Sequence, residues 1–214
     1  MIPKIDTLNR ISEVGIVAVV RAESEEQATK IAEACIKGGI PAIEVTFTVP
    51  GAHKVIEALK GKFSKEELIV GAGTVLDSET ARIAILAGAE YIVSSSFDEE
   101  TCKLCNRYQI PYMPGCITPK EMVTAMEAGA DVIKVFPGNL VGPDYIKAVK
   151  GPMPQAVLMP TGGVSIDNVD QWIKNGCVAV GVGGQLTAGA KTGNYELITE
   201  TAKAFIKKIK EARA

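Results

Sequence analysis

The chain is nearly devoid of histidine: His53 is the only one in 214 residues. A three-histidine metal site cannot be built within it, and any Ser–His or Cys–His nucleophile would depend on that one imidazole. An excess of one charge is also missing, since 23 Lys and Arg stand against 25 Asp and Glu, a formal charge of −2. Without a basic excess or block, the sequence lacks the electrostatic footprint of a nucleic-acid binder. No apolar run approaches the roughly 20 residues of a membrane span. The opening MIPKIDTLNRISEVG mixes charge with apolar residues and lacks the apolar core of a signal peptide. Cysteines number only five, an odd count that argues for reduced thiols in a cytoplasmic setting. The composition that remains, 47% hydrophobic and 22% charged, is that of a globular protein, with enough chain to bury a sizeable core.

Short runs rich in β-branched residues alternate with helix-length segments from end to end. The pattern predicts strands at Ile16–Val20, Ala42–Thr46, Leu68–Gly71, Tyr91–Ser94, Pro111–Met113, Val132–Phe136, Ala156–Met159 and Val178–Val182. Glu25–Lys37, Ser78–Ala87 and Pro119–Ala128 carry apolar residues at helical spacing. Gly39, Gly88, Gly129 and Gly176 follow helical stretches where a left-handed cap is expected, just ahead of a strand. A short helix is expected before the first strand. Eight such units without a break in composition predict an α/β fold, a (β/α)8 barrel in one domain over residues 1–214. An open doubly wound sheet is the alternative that the same alternation permits.

Superposing the units on their capping glycines aligns Gly39-Ile-Pro-Ala-Ile-Glu44-Val45 with Gly129-Ala-Asp-Val-Ile-Lys134-Val135. Glu44 and Lys134 thus take equivalent places on the second and sixth predicted strands, and even-numbered barrel strands contribute to a common interior layer. Lysine is almost never fully buried without a partner or a task. An unperturbed lysine is neutral only about once in 2,500 molecules at pH 7. Desolvation lowers its pKa and exposes an amine suited to imine formation with a ketone, while a nearby carboxylate moves the protons and opposes that shift. A buried structural ion pair is the competing reading of the same two residues.

Thr161-Gly-Gly163 and Gly181-Val-Gly-Gly184 close the last two predicted strands. Barrel enzymes often hold phosphate there, because glycine lets backbone N–H groups approach the anion; plain turns are the alternative. Neither Gly71-Ala-Gly-Thr74 nor Gly181-Val-Gly-Gly184 completes a dinucleotide fingerprint, so no nicotinamide cofactor is expected. Arg21, Thr46, Thr48 and Thr74 end strands and could bind a carboxylate or hydroxyls. Cys102-x-x-Cys105 lacks a second matching pair and reads as part of a helix. His53 reads as an exposed polar residue, and Lys207, Lys208, Lys210 and Arg213 as the solvated face of a final helix.

Together, Val17-Ala-Val-Val-Arg21, Ile43-Glu-Val-Thr-Phe-Thr48, Val70-Gly-Ala-Gly-Thr74, Tyr112-Met-Pro-Gly115, Ile133-Lys-Val-Phe-Pro137, Pro160-Thr-Gly-Gly163 and Ala179-Val-Gly-Val-Gly183 run nearly the whole chain in order. This set closely resembles the 2-keto-3-deoxy-6-phosphogluconate (KDPG) and 4-hydroxy-2-oxoglutarate (KHG) aldolase family. The resemblance implies a class I aldolase on a (β/α)8 barrel, a cytoplasmic homotrimer needing no metal or other cofactor. It assigns the Schiff-base lysine to Lys134 and the acid/base to Glu44. It places Arg21, Thr74 and Thr161 on the keto acid or its distal groups, and Gly162, Gly163, Gly183 and Gly184 in the phosphate loops. Three positions depart from the family pattern. Ser94-Ser95-Ser96 replaces a Ser-Pro, Thr48 stands where some members have an arginine, and Gly184 stands at a usual serine. The implied partner is a small keto acid or sugar-acid phosphate, with no nucleic acid or membrane. The expected reaction is reversible cleavage of KDPG to pyruvate and glyceraldehyde 3-phosphate. Unphosphorylated KHG is the alternative substrate; a phosphosugar isomerase or epimerase and a non-catalytic sugar-phosphate sensor are more distant alternatives.

Overall fold

The computed structural model describes residues 2–214. After helix α1 (Pro3–Val14), strands and helices alternate as β1 (Ile16–Val20), α2 (Glu25–Lys37), β2 (Ala42–Thr46), α3 (Ala52–Lys62), β3 (Ile69–Gly73), α4 (Ser78–Leu86), β4 (Ile92–Val93) and α5 (Glu99–Arg107). They continue as β5 (Tyr112–Met113), β6 (Gly115–Cys116), α6 (Pro119–Glu127), β7 (Ile133–Val135), α7 (Asp144–Lys150), β8 (Leu158–Pro160), α8 (Val169–Lys174), β9 (Val180–Val182), α9 (Gly184–Thr187) and α10 (Tyr195–Arg213).

Local chemistry sets the helix ends. The Ser24 side chain accepts from the Gln27 amide to open α2, whose first turn carries Glu25 and Glu26 and whose last turn carries Lys37, each sign matching the helix dipole. Thr118 and Glu121 form a reciprocal capping box at α6, with Pro119 just inside it. Gly39, Gly88, Gly129 and Gly176 all take φ near +90 to +103°, reversing the chain between helix and strand as the sequence predicts.

Every strand pairing is parallel. One sheet has the order β5-β4-β3-β2-β1-β9 and a second the order β6-β7-β8. A single bridge, Thr161 to Gly181, and the Val178 amide donating to the Leu158 carbonyl at 3.0 Å link the end of the second sheet to β9. The expected fifth strand is split in two at Pro114. Proline has no N–H to give the ladder, but its carbonyl still accepts from the Lys134 amide at 2.9 Å. The other strands fall where predicted, with ends displaced by a few residues: β3 runs on to Gly73 and β8 to Pro160. Apolar runs mark burial, whereas a strand lasts only as long as its neighbours supply ladder partners.

Alternate residues of each strand face different cores. Ile16, Ala18, Ile43, Val45, Val70, Ile133 and Leu158 join helix residues such as Trp172 and Phe205 in one large cluster. Val17, Ala42, Ile69, Tyr91, Val93, Val132, Met159 and Ala179 form a second cluster on the face turned away from the helices. Ile11 of α1 belongs to that inner cluster, and Leu8 packs against it. Lys4 pairs with Asp131 at 3.0 Å, and Arg10 donates to the Lys65 and Glu66 carbonyls, fixing α1 in place. Arg213 is exposed, as expected of that face, and its guanidinium also donates to the Ser12, Glu13 and Val178 carbonyls, tying α10 to the end of α1. Among the described residues, no helix is long and apolar enough to cross a membrane.

Candidate active site

Glu44 is the middle residue of β2 and Lys134 the middle residue of β7. Glu44 stands opposite Val19 and Gly71, and Lys134 opposite Gly115 and Met159. Both side chains are almost wholly buried, at 1% and 5% exposure, and Lys134 Nζ lies 4.0 Å from Glu44 Oε1. The ammonium also sits 4.9 Å from the centre of the Phe136 ring, two residues along the same face. Glu44 Oε2 takes no hydrogen bond from the protein.

This arrangement is a poor structural ion pair. Burying two charges costs several kcal/mol per ion, which only short contacts and fully satisfied donors and acceptors offset. Here the one contact is at the outer limit of pairing and one carboxylate oxygen is free. The unused lysine donors and the free carboxylate oxygen are available to a third group. A shielded amine beside a carboxylate suits addition to a carbonyl followed by proton transfer.

Glycine makes the room. A Cβ on Gly73 would overlap the Glu44 carboxylate, and one on Gly71 would overlap the Tyr91 ring. Tyr91 lies fully buried beneath, donating from its hydroxyl to the Ile43 carbonyl at 2.5 Å. Burial pushes its phenol well above the usual range, with the Glu44 charge adding to the effect.

Thr161 closes the ring of inner groups. Its hydroxyl is buried without a protein partner, and a Cβ on Gly181 would overlap it. A cavity of about 200 Å³ opens above, lined by Arg21, Phe136, Thr161, Gly162, Gly163, Gly183, Gly184 and Gln185 among others. Arg21 Nη1 lies 3.5 Å from the place a Gly183 Cβ would occupy, so the guanidinium rests on that glycine loop. Gly162 and Gly163 hold φ of +92° and +74°. Their loop is fixed by Gly138 donating to the Thr161 carbonyl and Asn168 to the Gly163 carbonyl.

The structure therefore brings eight of the nine predicted site residues to two adjoining places: six line the cavity with Phe136, and Lys134 lies against that ring. Glu44 joins them through Lys134. Thr74 stands apart. It follows β3, half-buried with φ of +56°, and is not among the cavity walls. Thr46 and Thr48 share a 3.0 Å hydrogen bond at the end of β2. His53 is half-buried in the first turn of α3 rather than exposed. Cys102 and Cys105 lie on the buried side of α5, as a helical reading requires; burial pushes the Cys102 thiol up and that of Cys105 to about 12. Sequence reasoning missed Phe136, Gly73 and Gly71. Their signal was the two-residue spacing from Lys134 and along β3 that places alternate side chains on one face.

A family model described as KDPG and KHG aldolase matches residues 7–201. The chain belongs to the KDPG and KHG aldolase family. It is 33% identical over 198 residues to the 2-dehydro-3-deoxy-6-phosphogalactonate aldolase of Escherichia coli, covering 92% of this chain and 95% of that one. It is also 33% identical over 171 residues to the 2-dehydro-3-deoxy-phosphogluconate aldolase of Pseudomonas aeruginosa, 79% of this chain and 76% of that one. A solved structure of KDPG aldolase from Legionella pneumophila, with pyruvate captured as a covalent carbinolamine intermediate, superposes with a TM-score of 0.83. It is 30% identical and covers 89% of this chain and 93% of that one.

Proposed function

We propose that the chain is a class I aldolase that reversibly cleaves KDPG to pyruvate and glyceraldehyde 3-phosphate. The observation that carries this reading is the buried, under-satisfied Lys134–Glu44 pair beneath a glycine-walled cavity. Lys134 attacks the C2 ketone of the substrate, and Glu44 relays the protons as the carbinolamine loses water. The resulting iminium withdraws the electron pair of the C3–C4 bond. Glu44 takes the C4 hydroxyl proton as that bond breaks, glyceraldehyde 3-phosphate leaves, and an enamine of pyruvate remains on the lysine. Protonation at C3 and hydrolysis of the imine release pyruvate and the free amine. The iminium supplies the electron withdrawal, so the scheme calls on no metal or other cofactor.

The remaining site residues take roles by position. Thr161, with its unpartnered hydroxyl, meets the keto-acid end; Thr74, outside the cavity walls, is given the same role by the family resemblance alone. Gly162, Gly163, Gly183 and Gly184 offer amides to the distal phosphate, and Arg21, resting on Gly183, neutralises it. The scaffold is read as one (β/α)8 domain over residues 1–214. The split at Pro114 makes β5 and β6 one strand position, and the Thr161–Gly181 bridge supports closure between the two sheets. A cytoplasmic homotrimer is the family's arrangement and is proposed for this chain too.

The galactonate epimer is a second reading, favoured by the name of the Escherichia coli relative. Pyruvate release from KDPG, from its C4 epimer and from KHG, followed with the Lys134→Ala variant alongside, tests both. The expected result is fastest release from KDPG and none by the variant. Fastest release from the C4 epimer moves the substrate to the second reading, and an active Lys134→Ala enzyme overturns the mechanism.

A further inference from the structure

The cavity over the glycine loops does not end there. A second cavity of about 370 Å³ shares Arg21, Val19 and Gly184 with it and runs on to Gln27, Thr187 and Lys191. Gly184 is on the walls of both, and a Cβ built there meets nothing within 4 Å. Gln27 is held in place, its side chain accepting from the Glu23 amide at 2.7 Å and donating to the Ala190 carbonyl. Thr187 donates to the Gly183 carbonyl at 3.2 Å, joining the far wall to the loop itself. Among the described residues neither Arg21 nor Lys191 is engaged in an ion pair. The one carboxylate on these walls is that of Glu23, which is exposed.

We infer that Lys191 is a specificity residue of the aldolase site: it faces the glycine loops across the second cavity and selects substrates whose distal end is a phosphomonoester. This rests on the aldolase reading above. A dianion seated on the loop amides has Arg21 on one side and presents its remaining oxygens to the second cavity, where Lys191 supplies a second mobile cation. Glu23 on the same rim opposes the anion, so the two rim residues act with opposite sign. Both charges are exposed, so their influence is modest and falls with salt.

The test is pyruvate addition to glyceraldehyde 3-phosphate and to glyceraldehyde, read as the ratio of kcat/KM for the two acceptors. The Lys191→Met variant is expected to lower that ratio about 3- to 5-fold, the upper end for losing one solvent-screened charge pair, here with a dianion. Lys191→Arg is expected to keep it, and Glu23→Gln to raise it about twofold by the same argument. A ratio in Lys191→Met that matches the wild type, or an equal loss for both acceptors, overturns the assignment. Pyruvate trapping by borohydride on the wild-type chain separates the two levels. If it fails, the aldolase reading itself fails; if it succeeds with the ratio unmoved, only the Lys191 assignment does.

Discussion

Two adjacent layers of the inner face, two residues apart along the strands, have opposite character. The lower layer holds Ala42, Ile69, Val132, Met159 and Ala179, all apolar and closed by Ile11 of α1. Two residues further along the same strands stand Glu44, Gly71, Lys134, Thr161 and Gly181. The lower layer is filled by side chains in contact, as a core must be. The upper one alternates charged or hydroxylic groups with glycines that leave them room, and two of its polar atoms lack protein partners. One period-2 pattern thus builds an apolar floor and a polar, glycine-walled layer from the same strands. Under the proposed mechanism the first carries packing and the second carries chemistry.

The largest break in this contrast is expected from Lys134→Ala, which removes the proposed nucleophile and is expected to lower kcat about 10³-fold or more. Glu44→Gln keeps the volume but not the proton transfer, and is expected to cost about 10²- to 10⁴-fold in kcat. Gly73→Ala puts a methyl group where the Glu44 carboxylate lies. Its displacement should cost about 10²-fold in kcat, with overpacking of about 1–3 kcal/mol seen in urea unfolding. Ile69→Ala in the floor has the reverse signature, with about 2–5 kcal/mol lost in stability and pyruvate trapping still on Lys134. The smallest effect is assigned to Tyr91→Phe, which joins the layers. Losing the bond to the Ile43 carbonyl should cost about 1–3 kcal/mol, measurable as a shift in the urea midpoint. Equal loss of stability from upper-layer and floor variants would erase the distinction.

Much of this was legible in the sequence because each strand–helix unit carries its own punctuation. The capping glycines set the register of Gly39–Val45 against Gly129–Val135, and that register alone brought Glu44 and Lys134 together. The bounds of β1, β2 and α2 coincide with the apolar runs and caps that predicted them. Gly71-Ala-Gly73 was less transparent: it fails as a dinucleotide fingerprint, and its work of admitting Tyr91 and Glu44 depends on side chains of neighbouring strands. The break at Pro114 is visible as a proline, but not as two strand segments, because that outcome depends on which ladder bonds the neighbours can still make. The tether made by the exposed Arg213 was hidden for a similar reason. A charge near a chain end shows no partner in the sequence, because the fold alone brings the carbonyls of Ser12, Glu13 and Val178 to meet it.

The most direct measurement is to incubate the protein with pyruvate and borohydride and locate the added mass by peptide mass spectrometry. One reduced pyruvate adduct is expected, on Lys134, absent from the Lys134→Ala variant. An adduct on another lysine, or none on protein shown to be folded, would contradict it.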